Sequence, residues 1–353
     1  MHKQKSLIFT PYRKKQQPLH IGIAYNNRPN GDTPTNTSLT LEYDEDETIE
    51  AIKNVLVLDG HTVELIHADQ DFVERLKNAH VDFIFNIAEG IRGESRESHV
   101  PAILEMLGIP YSGSGVLSQA VTLSKSRSKE ILGYYHIPTP KYQLFKNPKE
   151  SLRGYLKFPL IVKPDAQGSS AGIINNSVVD NPKALQTQIE WVIENFGIPV
   201  LVEEFCNGRE FTVAIIGNEP PTVLPIIEIT FDHLPNKFAK IDSYESKWEF
   251  DTVDKNVNPL VCPAKIPQTL QNAIEKIALD TFTVFECKDF CRIDIRLNKH
   301  DIPQVLDVNC LAGLNPNPKF HSRFPLACSV GGLSYEDTIL TIVHSALKRN
   351  NLI

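Results

Sequence analysis

Two stretches in the last quarter of the chain carry the residues best suited to chemistry. In "CRIDIRLN" Arg292 and Asp294 stand two apart, and in "QVLDVNCLAGLNP" Asp307 and Asn309 repeat that spacing. Their neighbours Ile293, Leu306 and Val308 are apolar. Side chains alternate faces along a β-strand, so each polar pair shares a face opposite its apolar neighbours. Two adjacent strands of this kind would present Arg, Asp, Asp and Asn together. Hard oxygen ligands of that sort suit Mg²⁺, which commonly takes one or two carboxylates plus substrate phosphates. A polar outer sheet face with an Arg–Asp ion pair would give the same pattern.

Two further stretches point the same way with less force. "VKPDAQGSSAGI" has a lysine leaving an apolar run and then a Gly-Ser-Ser turn. Gly168 and Gly172 let backbone N–H groups close on an anion, Ser169 and Ser170 add donors, and Lys163 adds charge. The order G-x-x-x-x-G-K-[ST] of a Walker loop is absent. "LVEEFCNGREFTVAIIGN" ends a strand on Glu203 and Glu204, turns at Asn207-Gly208 and re-enters a strand after Glu210. These acids fit either a nucleotide's ribose and amino group or an ordinary charged surface.

The elements that must position these residues follow from periodicity. "HIGIAYNNRP", "HTVELI" and "VDFIFNI" read as strands, separated by helices over Glu42–Gly60 and about Asp71–Ala79. Such β-α-β-α-β alternation predicts a parallel α/β domain. Another helix at Val100, a short strand in "GIPYSGSG" and a helix from Ser118 to about Gly133 precede the boundary "HIPTPKY". Beyond it, strands on both sides of the Gly-Ser-Ser turn predict a hairpin lid. A helix over Pro182–Phe196, a long helix over Ile266–Val284 and the strand pair described above complete the α+β remainder.

With 353 residues, 41% hydrophobic and 22% charged, the chain has ample core material for two or three domains. A net charge of −7 argues against a nucleic-acid partner, since such proteins carry a basic stripe. No run approaches the ~18 apolar residues of a membrane span. The basic segment over residues 1–19 reads as a solvated tail. The six cysteines form no C-x-x-C pair and read as reduced thiols of a cytoplasmic protein rather than a zinc site.

In order along the chain, "GIPYSGSG", "TLSKSRSKEIL", "FPLIVKPDAQGSSAGI", "LVEEFCNGREFTVAIIGN", "DSYESKW", "RIDIRLN" and "DVNCLAGLNP" resemble the ATP-grasp ligases of the D-alanine–D-alanine ligase type. The resemblance spans Gly108 to Pro316. It implies an N-terminal α/β domain (20–118, first-substrate side), a central lobe with the lid (119–205) and a C-terminal lobe (206–353). It also implies ATP-dependent joining of a carboxylate to an amine through an acylphosphate, with small amino-acid or peptide substrates, Mg²⁺ or Mn²⁺, and a homodimer. By the matching motifs, Lys125 and Lys163 would contact phosphates under Ser169 and Ser170. Glu203 would accept from the adenine amino group, with Phe205 and Cys206 near the base and Glu210 on the ribose. Lys247 would meet the transferred phosphate, and Asp294, Asp307 and Asn309 would hold the metal. Arg292 and the Gly313 backbone would stabilise the oxyanion, and Ser322 would meet the second substrate.

The departures lie where substrate is chosen. The family's N-terminal glycine-rich turn is replaced by "YNNRPNGDTPTNTS", and its His-Gly and Gly-Glu-Asp-Gly elements by "FNIAEGIRGESRES". Glu89, Glu94, Arg96 and Glu97 in that segment are the candidate first-substrate contacts. Trp248 stands where the family has tyrosine, and Ala312 where it has proline. Two other classes remain open: a phosphotransferase without an amine acceptor, and an ATP-binding regulatory protein.

Overall fold

A computed structural model describes residues 17–29, 32, 34–250 and 257–353. The basic N-terminal segment therefore lies almost wholly outside the described residues. Three sheets organise the rest. In the first, β1 (His20–Tyr25) lies between β2 (Thr62–His67) and β3 (Phe83–Asn86), all parallel, with Ile21 opposite Val63 and Phe83. The middle strand is covered on both faces, which is why "IGIA" is apolar without alternation. Helix α1 (Asp46–Leu58) starts with Asp46 and Glu47 in its first turn and buries Ile49, Ile52, Val55 and Leu56. It stops at Gly60, whose φ of +99° suits a residue without Cβ. Helices α2 (Phe72–Ala79) and α3 (His99–Leu107) cover the other face through Phe72, Leu76, Val100 and Leu104. The short strand expected in "GIPYSGSG" is only a single bridge from Tyr111 to Ile84.

The helix expected from Ser118 to Gly133 is broken in two. Helix α4 (Val116–Leu123) ends and α5 (Lys125–Tyr134) begins at Ser124, which has extended backbone. The Asp165 carboxylate causes the break: it accepts from the Ser126 N–H at 2.7 Å and from the Ser124 and Ser126 hydroxyls at 2.8 and 3.0 Å. These bonds satisfy orphan donors at the new helix start.

The second sheet has the order β4-β7-β5-β6, from β4 (Tyr142–Phe145), β5 (Leu160–Pro164), β6 (Val178–Val179) and β7 (Val200–Glu204), all antiparallel. Helix α6 (Pro182–Phe196) packs Leu185, Ile189 and Val192 onto Val162, Val200 and Val202. The expected hairpin exists, but only Leu160 and Ile161 of β5 pair with β6. The Gly-Ser-Ser turn sits in a wide loop between them, with Ser169 and Ser170 at positive φ.

The third sheet is antiparallel, ordered β11-β10-β8-β12-β13 with β9 alongside β8. Its strands are β8 (Glu210–Ile216), β9 (Thr222–Val223), β10 (Ile227–Ile229), β11 (Leu260–Val261), β12 (Phe290–Leu297) and β13 (Pro303–Asn309). Helix α7 (Gln268–Val284) buries Ile274, Ala278 and Phe282 against Phe211, Val213, Ile293 and Ile295. On the opposite face, Ala214, Ile216 and Phe290 share one core with α8 (Arg323–Val330), α9 (Tyr335–Arg349) and the α1 side of the first sheet. The third sheet and the N-terminal sheet are thus joined through apolar packing. The polar patch on β12 and β13 opens beside that seam.

Candidate active site

Residue pairing in the third sheet brings the four expected side chains together. Arg292 lies opposite Asn309, and Asp294 opposite Asp307. The Arg292 guanidinium grips Asp294 through Nε at 3.1 Å and Nη2 at 3.0 Å. Asp294 also accepts from the Thr212 hydroxyl at 2.6 Å and from Asn309 Nδ2 at 3.1 Å. Burial pushes the Asp294 carboxyl up, but Arg292 outweighs it and holds the group down at about 2. Asp307 faces Lys125 Nζ at 3.1 Å. This cluster of two carboxylates and an amide fits a hard divalent cation. Only soft donors would have argued against one.

The lysines are placed by α5 and β5. Burial lowers the Lys125 ammonium's tendency to hold its proton, and Asp307 more than restores it. The same ammonium donates to the Gln167 carbonyl at 2.8 Å, at the foot of the lid. Lys163 on β5 ion-pairs with Glu203 on β7, and Lys129 reaches the same carboxylate's other oxygen at 2.7 Å. Glu203 is 0% exposed. Burial raises its pKa, but the two lysines win and hold it at about 2. Both oxygens thus lie beside ammonium groups. In this structure Glu203 supplies the countercharge that the two buried cations require. Phe205 lies under the Arg296 guanidinium at 4.9 Å, and burial pushes the Cys206 thiol up to about 11. Glu210 accepts from Arg296 at 2.8 Å and borders a cavity together with Lys163.

The lid is drawn down from three directions. Gly168 N–H donates to Glu42. Trp248 Nε1 donates to the Ser169 carbonyl at 3.2 Å, and the Ser170 hydroxyl to the Asp242 carbonyl at 2.8 Å. Lys247 and Trp248 belong to a π-helical turn, Glu245–Phe250. Burial pushes the Lys247 ammonium down to about 8, with Arg323 and Arg292 adding to it against Asp242. Ser322 caps the approach to α8 and donates to the Gly313 carbonyl at 3.1 Å. Arg323, next in sequence, pairs with Asp242 at 2.8 Å.

Two chambers meet at this cluster. One, of about 100 Å³, is bordered by Lys163, Ser170, Glu210, Asp294 and Arg296. The other, of about 180 Å³, is bordered by Asp44, Glu89, Glu97, Gly313, Ser322 and Arg323. Lys125, Ser169, Lys247, Arg292, Asp307 and Asn309 border both. Of the candidate first-substrate residues, Glu89 and Glu97 line the second chamber. Glu94 is exposed on the preceding turn, and Arg96 is buried with Nε 3.1 Å from Glu42 and Nη1 3.1 Å from the Ala166 carbonyl. Arg96 therefore braces the lid rather than facing the chamber.

Sequence reasoning missed Glu42, Asp44, Lys129, Asp165, Asp242, Arg296 and Arg323. The acidic run "EYDEDE" signalled a helix start, yet Glu42 and Asp44 precede α1 and turn towards the lid and chamber. Behind Asn309, the thiols of Cys287, Cys291 and Cys310 converge within 4.8 Å in the apolar core, a grouping invisible in their spacing.

Residues 132–344 match the family described as D-ala D-ala ligase C-terminus. A D-alanine–D-alanine ligase of Pelotomaculum thermopropionicum is 32% identical over 313 residues, covering 86% of this chain and 92% of the relative. The uncharacterized protein y4sG of Sinorhizobium fredii is 36% identical over 266 residues, 75% of each chain. The ATP complex of the Bacillus anthracis D-alanine–D-alanine ligase superposes with a TM-score of 0.70 at 24% identity, covering 95% of this chain and 99% of that one. The VanG D-Ala:D-Ser ligase of Enterococcus faecalis gives 0.71 at 21% identity, covering 94% and 100%. At those identities the two structures establish the shared fold, and the sequence matches establish kinship. The chain belongs to the D-alanine–D-alanine ligase family and is an ATP-dependent ligase on the ATP-grasp fold.

Proposed function

We propose that this ligase activates the carboxylate of one small amino acid or peptide as an acylphosphate and passes it to the amine of a second. The observation that carries this reading is the meeting of the two chambers. A phosphate-side chamber and a substrate-side chamber share Lys125, Lys247, Arg292, Asp307 and Asn309 at their junction. Phosphoryl transfer needs positioning and charge neutralisation more than covalent help, and the junction supplies both.

Lys125, Lys163 and Lys247 would bind phosphate oxygens, with Glu203 and Lys129 holding Lys163 in place. Asp294, Asp307 and Asn309 would hold Mg²⁺, or Mn²⁺ in its stead, which would supply the positive charge that neutralises phosphate oxygens. Lys247, already easily deprotonated, gains its proton fully when an anion arrives beside it. Arg292 releases part of its hold on Asp294 to face the oxyanion, which the Gly313 N–H meets from the other side. Phe205 and Cys206 flank the base and Glu210 the ribose, while Ser322 and Arg323 receive the acceptor's carboxylate. The lid excludes water that would hydrolyse the acylphosphate. Glu42, Arg96 and Trp248 hold it shut.

We assign the three sheets to domains at 20–118, 119–205 and 206–353, place the protein in the cytoplasm and expect a homodimer without nucleic-acid or membrane partners. All six cysteines are free, in keeping with a reducing compartment. Among the described residues no helix is long and apolar enough to cross a membrane. The test is ADP release with Mg²⁺ across D- and L-amino acids and dipeptides, with mass spectrometry of the products. New amide products accompanying ADP support the reading. A phosphorylated product that persists in the presence of amines would replace it with a phosphotransferase.

A further inference from the structure

The substrate-side chamber is charged in an uneven way. Asp44, Glu89 and Glu97 line it from the loops of the N-terminal sheet, and none of their carboxylates has a hydrogen bond or ion pair among the described residues. The nearby cations are committed elsewhere. Arg96 is spent on Glu42 and the Ala166 carbonyl, Arg28 on Glu45, and Lys125 on Asp307 and the Gln167 carbonyl. The chamber's other lysine and arginines come from the opposite side, Arg292 from β12, Lys247 from the π-helical turn and Arg323 from α8, where the phosphate and acceptor carboxylate would lie. Three unpaired carboxylates enclosed together repel one another and are costly to bury without cations. Burial, with Glu45 beside it, pushes Asp44 to about 7; burial and Glu42 push Glu97 to about 8; burial, with Glu97, Glu42 and Asp44 nearby, pushes Glu89 well above the usual range.

Accepting the ligase reading above, we infer that the carboxylic acid activated by this enzyme carries a second cationic group besides its α-ammonium, as a short diamino acid does. One ammonium would answer only one of the three carboxylates. A second cation satisfies the chamber better and brings the enclosed charge closer to balance. The chamber's size agrees: a cavity near 150 Å³ accommodates benzene, so about 180 Å³, which the acceptor's carboxylate also enters, admits a short amino-acid donor rather than a long peptide. With a neutral side chain of equal length the α-ammonium would be the donor's only positive charge against three carboxylates, and a site with poorly matched polar groups discriminates against such a donor.

Hydroxylamine can replace the amine acceptor and trap the acylphosphate as a hydroxamate, with release of phosphate, so donor choice is read alone. With ATP and Mg²⁺, the full-length protein is assayed against both enantiomers of 2,3-diaminopropionate, 2,4-diaminobutyrate and ornithine, beside alanine, 2-aminobutyrate and norvaline. The expected result is a kcat/KM at least tenfold higher for the best diamino acid than for its neutral counterpart. Glu89→Gln and Asp44→Asn should each shrink that ratio at least tenfold while keeping the thermal shift produced by ATP, which reports a folded nucleotide site. Equal or better use of neutral donors, or a ratio that neither substitution changes, overturns the inference and leaves the ligase reading standing. Hydroxamate and ADP from no donor at all would instead defeat the ligase reading itself.

Discussion

Replacing Glu203 with glutamine separates two roles for one residue. If its carboxylate faces adenine, Glu203→Gln raises KM for ATP and leaves stability nearly unchanged. If it neutralises Lys129 and Lys163, as the geometry shows, the variant buries two ammonium groups without a counterion. A carboxyl held at about 2 instead of the ordinary 4.5 is worth about 3 kcal/mol to the folded protein at neutral pH. Removing one member of a buried ion pair costs about 3–5 kcal/mol in other proteins, which agrees. For a chain of 353 residues the unfolding entropy is about 0.7 kcal/mol per kelvin, so Tm should fall by about 4 °C at pH 7. The sign with pH follows from the depressed pKa. This stabilisation is complete above the unfolded pKa and is lost as pH falls through the folded one, so the Tm gap should narrow below about pH 4. Differential scanning fluorimetry at pH 7 and at pH 3.5 to 4, with KM for ATP measured in parallel, checks each part. A Tm change below about 1 °C at pH 7, together with a large rise in KM, would refute the counterion role.

Three other substitutions probe the remaining parts. Asp307→Ala should reduce Mg²⁺-dependent ADP release by at least about a hundredfold, with a stability cost of up to about 3 kcal/mol because buried Lys125 loses its counterion; substantial residual turnover would remove Asp307 from the metal set. Glu97→Gln should stabilise the protein increasingly as pH rises: a carboxyl whose folded pKa is raised to about 8 helps while protonated and loses that benefit as pH climbs from about 4.5 through 8, so the variant should melt about 2–4 °C above the parent at pH 9 and level with it at pH 5. Trp248→Phe loses the bond to the Ser169 carbonyl, about 1 kcal/mol, and should raise KM for ATP about fivefold while increasing ADP released per amide formed; unchanged coupling would show that the lid does not depend on it.

The β12–β13 pair was readable from sequence because strand alternation is a local rule, and Arg292, Asp294, Asp307 and Asn309 obey it across the register. Lys163 and the Gly-Ser-Ser turn were readable for a similar reason, since their neighbours define strand end and loop. Lys129 was not, because on a helix its lysine is indistinguishable from a solvated one until β7 brings Glu203 beneath it. Asp165 escaped notice as well. Its bonds to Ser124 and Ser126 span about forty residues, and they split what periodicity presents as one helix. Glu42 and Asp44 were absorbed into a helix-start signal that is genuine for Asp46 and Glu47 but ends there. Arg96 was placed in the substrate site by its segment, whereas packing turned it onto Glu42. In each case the deciding partner is distant in sequence, and no periodicity within either segment encodes it.

The central claim is that a donor carboxylate takes the phosphoryl group, and that its acyl carbon is then attacked by an amine with release of phosphate. A donor amino acid with both carboxylate oxygens replaced by ¹⁸O tests this directly, with phosphate and amide product analysed by mass spectrometry after one round of synthesis. Passage through an acylphosphate moves one labelled oxygen into each phosphate and leaves the other in the amide. Unlabelled phosphate released alongside labelled amide would contradict the account.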